Sequence, residues 1–134
     1  MSEKKISIHD NFLLGYEVRN TEREIVLKTE YREGHSTDRT DVVFTHVIAY
    51  SLIDDAFDTI LFDVAEMDVN TFLEENWDVF EAGRKSGWPG NWVSSIENTK
   101  TYLAQNSIRA YSIESSVGMN GWVLAKAVEL VARP

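Results

Sequence analysis

Residues 59–81 read TILFDVAEMDVNTFLEENWDVFE, and the spacing of the apolar side chains changes inside this stretch. From Thr59 to Val64 the period is two: Ile60, Phe62 and Val64 share a face while Asp63 points the other way, as in a half-buried strand. From Asp68 the period is helical. Val69, Phe72, Leu73 and Phe80, with Trp77 adjoining, follow helix spacing, and Asp68 carries the short acceptor side chain of an N-cap. Glu74, Glu75, Asp78 and Glu81 fall mainly on the opposite side of that helix. A strand that passes straight into an amphipathic helix fixes one strand-to-helix junction from which the rest can be read.

Toward the N-terminus the chain alternates. Phe12, Leu14, Tyr16 and Val18 share one face of a strand, polar residues 20–23 supply a turn, and Ile25, Leu27, Thr29 and Tyr31 alternate again, so the two runs read as an antiparallel hairpin. Residues 33–40, EGHSTDRT, have loop chemistry. Asp41 to Tyr50 is β-branched and aromatic on both alternate sets and reads as one central strand, with His46 in step with Phe44 and Ile48 as a packed histidine. A short acidic loop around Asp54 and Asp55 then leads to the strand at 59–64.

Toward the C-terminus, Gly83, Gly87 and Pro89 end the first helix, and a second helix covers Ser95 to Gln105. Ile108 to Ile113 is a strand. Residues 115–121 have loop chemistry; Gly121 to Val131 fits a two-sided apolar strand and also carries strong helix formers, and it is read in preference as a last strand that turns back on 108–113. The expected architecture is α+β: a mostly antiparallel sheet of about six strands, with one or two helices inserted between the fourth and fifth. With no repeat, low-complexity tract or Pro-rich linker, residues 1–134 form a single domain whose first ten residues are expected as a flexible N-terminus.

At 134 residues and 15.3 kDa, with 43% hydrophobic and 26% charged residues, the composition is that of one soluble globular domain, long enough to fold without covalent staples. It contains no cysteine, which removes disulfides, thiolate metal sites and thiol nucleophiles and fits a cytoplasmic setting. No apolar run resembles a signal-peptide core or reaches the roughly 18 residues a membrane helix needs. Thirteen basic residues against 22 acidic ones, net charge -9, speak against phosphate binding on nucleic acid and against anionic membranes.

The imbalance is local. Residues 51–82 hold ten acids and no base: Asp54, Asp55, Asp58, Asp63, Glu66, Asp68, Glu74, Glu75, Asp78 and Glu81. Such a one-signed stretch generates a negative field that steers a cationic partner, although a solvated helix face also calls for charge.

Five stretches, Thr40–Phe44, Ile60–Val64, Gly87–Trp92, Ile108–Tyr111 and Gly121–Lys126, together resemble a family of small bacterial proteins of uncharacterised function. The resemblance spans roughly residues 10 to 130. It implies a bacterial, soluble, single-domain protein and supplies no catalytic residue to transfer.

Each candidate chemistry has an ordinary structural counterpart. Asp54, Asp55 and Asp58 carry oxygen ligands, but they lack the glycine and the bidentate glutamate of an EF-hand loop, so no metal is expected. His9, His35 and His46 have no i, i+4 partner for zinc. Ser115 and Ser116 sit outside any Gly-x-Ser-x-Gly elbow, and Asp63 with Glu66 is a carboxylate pair of the sort any acidic chain offers. Trp88 and Trp92 flank a Pro-Gly turn near Asn91 and Arg84, a stacking platform on one reading and core aromatics on the other.

No catalytic residue and no cofactor is assigned. The expected function is a non-enzymatic protein-binding module, an immunity-like inhibitor whose acidic residues Asp54, Asp55, Asp58, Glu74, Glu75, Asp78 and Glu81 engage a basic protein partner. The alternative is a small-molecule binder or hydrolase-like enzyme with a pocket near Trp88 and Trp92. Nucleic acid and membrane are not expected as partners, and the chain is expected as a monomer or small homo-oligomer.

Overall fold

The change of period at Asp68 is realised in the three-dimensional structure, a computed structural model that describes residues 7–32 and 38–133. In chain order the elements are β1 (Phe12–Arg19), β2 (Glu24–Glu30), β3 (Arg39–Thr45), β4 (Ala49–Ile53), β5 (Ile60–Met67), α1 (Val69–Gly83), a 3-10 turn (Arg84–Ser86), α2 (Ile96–Gln105), β6 (Arg109–Val117), β7 (Asn120–Ala125) and β8 (Ala127–Arg133). The Asp68 side chain accepts from the Thr71 backbone N–H at 2.9 Å, and Ser95 caps α2 by accepting from Asn98 N–H at 3.1 Å. Each cap satisfies one of the donors a helix start leaves unpaired.

The α+β class holds, with one antiparallel sheet and two α-helices, but the strand count and the helix position differ from expectation. Among the described residues there are eight strands rather than about six, and the helices lie between β5 and β6 rather than between the fourth and fifth strands. Both differences have one cause. The run 41–50 is broken at residues 46–48 into β3 and β4, and the run 121–131 is broken at Lys126 into β7 and β8. Thr45 pairs with Ala127 and Ala49 with Leu124, so three residues on one side oppose two on the other. That extra residue is a bulge, and His46 takes a left-handed backbone there, with φ 53°. His46 is consequently exposed instead of packed in step with Phe44.

The sheet order is β4-β7-β6-β5-β1-β2-β3-β8. Its two ends, β4 and β8, continue β3 and β7, so the β3·β8 ladder runs on into β4·β7 and the sheet closes on itself. The β1–β5 junction rests on the Phe12–Ile60 pair together with bonds from Asp10 N–H to Leu61 C=O, Leu61 N–H to Asn11 C=O and Leu13 N–H to Thr59 C=O, each 2.9 Å. The predicted hairpin of 121–131 onto 108–113 is found for its first half, since β7 pairs with β6 from Arg109–Ala125 to Ile113–Gly121. Ser115 and Ser116, read as loop, belong to β6, which continues to Val117.

Closure produces two cores. Inside lie Ile25, Leu27, Val42, Phe44, Leu61, Tyr111, Ile113, Val123 and Ala125, drawn from five strands. Outside, α1 and α2 cover Ala49, Ala110 and Leu124 with Phe72, Leu73, Phe80 and Leu103. Burying one such side chain contributes about 1.5–3 kcal/mol, so each sheet face has its own reason to be apolar. Gly83 ends α1 where a Cβ would collide with the Trp88 ring, and this close approach seats Trp88 on the outer core.

Residues 1–6 of the expected flexible N-terminus and 33–37 of the expected loop, His35 included, lie outside the described residues. Ile8 is buried in the inner core. Among the described residues no helix is long and apolar enough to cross a membrane.

Candidate functional site

The seven acids of the expected binding surface lie in the β4–β5 turn and on α1. Asp54, Asp55 and Asp58 occupy the exposed β4–β5 turn, where Asp54 and Asp58 have left-handed backbones. Glu74, Glu75, Asp78 and Glu81 are exposed on α1. In the chain β5 stands between the two groups: the turn precedes its first residue and α1 follows its last. The expected acidic residues thus stand on two elements, a turn and a helix.

Their immediate partners differ. Glu74 accepts from Lys100 of α2 at 2.8 Å, and the Tyr16 hydroxyl of β1 donates to Asp55. That bond, and the negative charge it brings, raises the Tyr16 pKa above its usual 10.0. Among the described residues no Lys or Arg lies within ion-pair distance of Asp54, Asp55, Asp58, Glu75, Asp78 or Glu81. On the strands, Glu17 pairs with Lys28 and Arg19, Glu24 with Arg19, Glu30 with Arg32 and Arg39, Asp41 with Arg133 and Glu66 with Arg109, whereas Asp63, Glu114 and Glu129 have no Lys or Arg within ion-pair distance among the described residues.

The turn that carries the three aspartates also carries Phe57, 98% exposed. Beside it, Tyr16 and Val18 of β1 lie, by register, on the same sheet face as Leu27 and Ile25, yet remain about four-tenths exposed, as does Leu14 at the β1 bulge. Tyr50 of β4 is similarly exposed. Among the described residues no three carboxylates or histidines gather closely enough to hold a metal ion. Asp63 and Glu66 do not act as a pair, because Asp63 accepts from the Val64 N–H and Glu66 from Arg109.

The four residues of the predicted platform separate as well. Trp88 packs edge-on to Phe80, with centroids 5.6 Å apart, and against Trp122 at 6.2 Å. Trp92 stacks on Tyr102 of α2 at 5.8 Å with planes 7° apart. Trp88 lines a cavity of about 360 Å³ with Pro89, Val18, Ile25, Val47 and Tyr50. Trp92 and Asn91 line a neighbouring one of about 440 Å³, and Arg84 opens the 3-10 turn and lines neither. Both volumes fall in the range of small-molecule sites.

Sequence reasoning did not pick out Arg23 and Lys126, and read His46 as core. All three line the larger cavity. They stand at positions 23, 46 and 126, in a turn, at a bulge and at a strand break, and no spacing rule relates such positions. No family model matches the chain, and searches of curated proteins and of solved structures return no match.

Proposed function

We propose that the protein is a non-enzymatic binding module that engages a basic protein partner through its exposed carboxylates, as an immunity-like inhibitor would. The observation that carries this reading is that, among the described residues, no Lys or Arg lies within ion-pair distance of six exposed acids, Asp54, Asp55, Asp58, Glu75, Asp78 and Glu81. The charges that remain uncompensated set the long-range field, and that field steers a cationic surface to them. With this reading goes a cytoplasmic setting, supported by the lack of cysteine, and no nucleic-acid or membrane partner, supported by 13 bases against 22 acids.

Tagged protein is used to capture partners from the lysate of its native organism, at about 0.05 M and about 0.5 M salt, across which the screening length falls severalfold. The reading expects one basic protein, identified by mass spectrometry, to be released at high salt and to be lost from a variant carrying Asp54→Lys, Asp58→Lys, Glu75→Lys, Asp78→Lys and Glu81→Lys. Capture unchanged by salt and by charge reversal contradicts it.

The alternative, a small-molecule binder with a pocket near Trp88 and Trp92, is favoured by the two adjoining cavities that these residues line. Neither lining pairs a serine with a histidine, so its form is binding rather than serine hydrolysis.

A further inference from the structure

The larger of the two cavities has an unusual electrostatic lining for so acidic a chain. Arg23, His46 and Lys126 contribute to it, together with Asn91, Asn106 and the Trp92 indole, and no aspartate or glutamate does. Eleven arginines and lysines lie among the described residues, and seven of them have a carboxylate within ion-pair distance: Arg19, Lys28, Arg32, Arg39, Lys100, Arg109 and Arg133. Arg23 and Lys126 are two of the four that do not, and they face the same space.

The backbone holds these groups together. Arg23 C=O accepts from Val47 N–H at 2.8 Å, and Thr45 C=O accepts from Lys126 N–H at 3.1 Å, so both residues are tied to the immediate neighbours of His46. His46 and Arg23 both have left-handed backbones, φ 53° and 56°, a conformation that costs energy for residues with these side chains. The bulge that bends β3 into β4 is also what brings His46 to the cavity, and bulges beside sites serve to redirect side chains in this way.

We infer that this cavity is a binding site for a small organic anion, whose phosphate or carboxylate group is held by Arg23, His46 and Lys126 and whose apolar part lies against Trp92. The inference deepens the small-molecule reading given as the alternative above, and it is independent of the acidic-surface reading. Guanidinium, ammonium and imidazole together offer charge-assisted donors, which bind a phosphate or carboxylate more strongly than neutral donors do. Trp92, already stacked on Tyr102, gives a rigid flat wall that loses little freedom when a ring or chain settles on it. Asn106 donates to Tyr102 C=O at 2.8 Å, which fixes its amide at the edge of the cavity.

The test is calorimetric titration with inorganic phosphate, phenyl phosphate, benzoate, benzyl alcohol and benzylamine, with binding located by amide chemical-shift changes. Phenyl phosphate is expected to bind about tenfold tighter than inorganic phosphate, since its ring adds apolar contact. Shifts should centre on residues 46, 92 and 126. Arg23→Asn, His46→Asn and Lys126→Gln should each weaken it about tenfold, the worth of one charge-assisted hydrogen bond. Asparagine tolerates the left-handed backbone at 23 and 46, so these variants keep the fold. Lys85→Gln, in the 3-10 turn and outside the lining, should change nothing. Anion binding that resists the three substitutions, or that falls with Lys85→Gln, overturns the site. If benzyl alcohol or benzylamine binds at the cavity and the three anions do not, the small-molecule reading stands and the anion inference fails. If none of the five binds there, both fail.

Discussion

The Arg133 guanidinium donates through Nε to the Asp41 carboxylate at 2.7 Å, joining the last strand to a side chain that is 6% exposed. Asp41 sits on β3 opposite Val131, and the arginine is the base within ion-pair distance of it among the described residues. Removing the arginine leaves a buried charge without its partner, whereas removing both groups does not. Arg133→Ala should lower unfolding free energy by about 1–3 kcal/mol, discounted for the half-exposed arginine. The double variant Asp41→Ala, Arg133→Ala should recover part of that loss in urea titrations. Equal loss from the single and double variants counts against a role for the pair.

Glu30 is held below its usual value of 4.5 by hydrogen bonds from Arg32 and Arg39, and Glu17 is lowered by Lys28 and Arg19. A carboxylate lowered in the folded state adds stability above its unfolded pKa and loses that contribution as pH falls through its folded pKa. Melting temperature should therefore change little from about pH 6 to about pH 5 and decline below about pH 4.5. In the Glu17→Gln, Glu30→Gln variant the decline should be shallower. A slope unchanged by these substitutions would assign acid sensitivity to other carboxylates.

Phe80 is fully buried, and the rings of Phe72, Trp88, Trp92 and Trp122 lie 5.6–6.2 Å from it. Its loss opens a cavity between α1 and the outer face of the sheet. Phe80→Ala should cost about 3–5 kcal/mol, with a red-shifted tryptophan emission as the indoles gain water. A loss below about 1 kcal/mol, the usual range of surface changes, would mean that α1 does not pack as described.

Phe57 is the opposite case, an aromatic ring almost wholly in solvent between Ala56 and Asp58. Phe57→Ser should leave the unfolding free energy within about 0.5 kcal/mol. If the β4–β5 turn contacts a protein partner, the same substitution should weaken capture while circular dichroism stays unchanged, because an exposed ring flanked by charges suits an interface anchor. A large stability loss would show that the ring packs in solution.

Gly118 closes the β6–β7 turn with φ 92°, and a Cβ there would collide with Thr59 Oγ1. Thr59 itself donates to Ala56 C=O at 2.9 Å and accepts from Met119 N–H at 3.3 Å, so it cannot withdraw without losing both bonds. Gly118→Ala should destabilise by more than about 1 kcal/mol, read as a shift in urea midpoint. A neutral result would mean that the turn relaxes freely.

Local pattern sufficed for most elements. The alternation of Ile25–Thr29, the N-cap at Asp68 and the helix from Ser95 are short-range properties found where the spacing puts them, whereas in β1 a bulge between Leu13 and Gly15 puts Phe12 on the opposite face from Tyr16 and Val18. The candidate site was less legible. The exposure of Glu75, Asp78 and Glu81 follows from helical period, whereas that of Asp54, Asp55 and Asp58 follows from their place in the β4–β5 turn. Arg23, His46 and Lys126 meet through backbone pairings between residues 24 and 81 apart in the chain.

By itself the sequence determined the α+β class, the two helices and the acidic character of residues 51–82, because periodicity, capping side chains and charge are local and additive. The tertiary structure alone decided that the runs at 41–50 and 121–131 each break in two, that the sheet closes, and that three bases share one cavity. A bulge is set by the count of residues between paired positions on two strands, and neither strand carries that count in its own pattern.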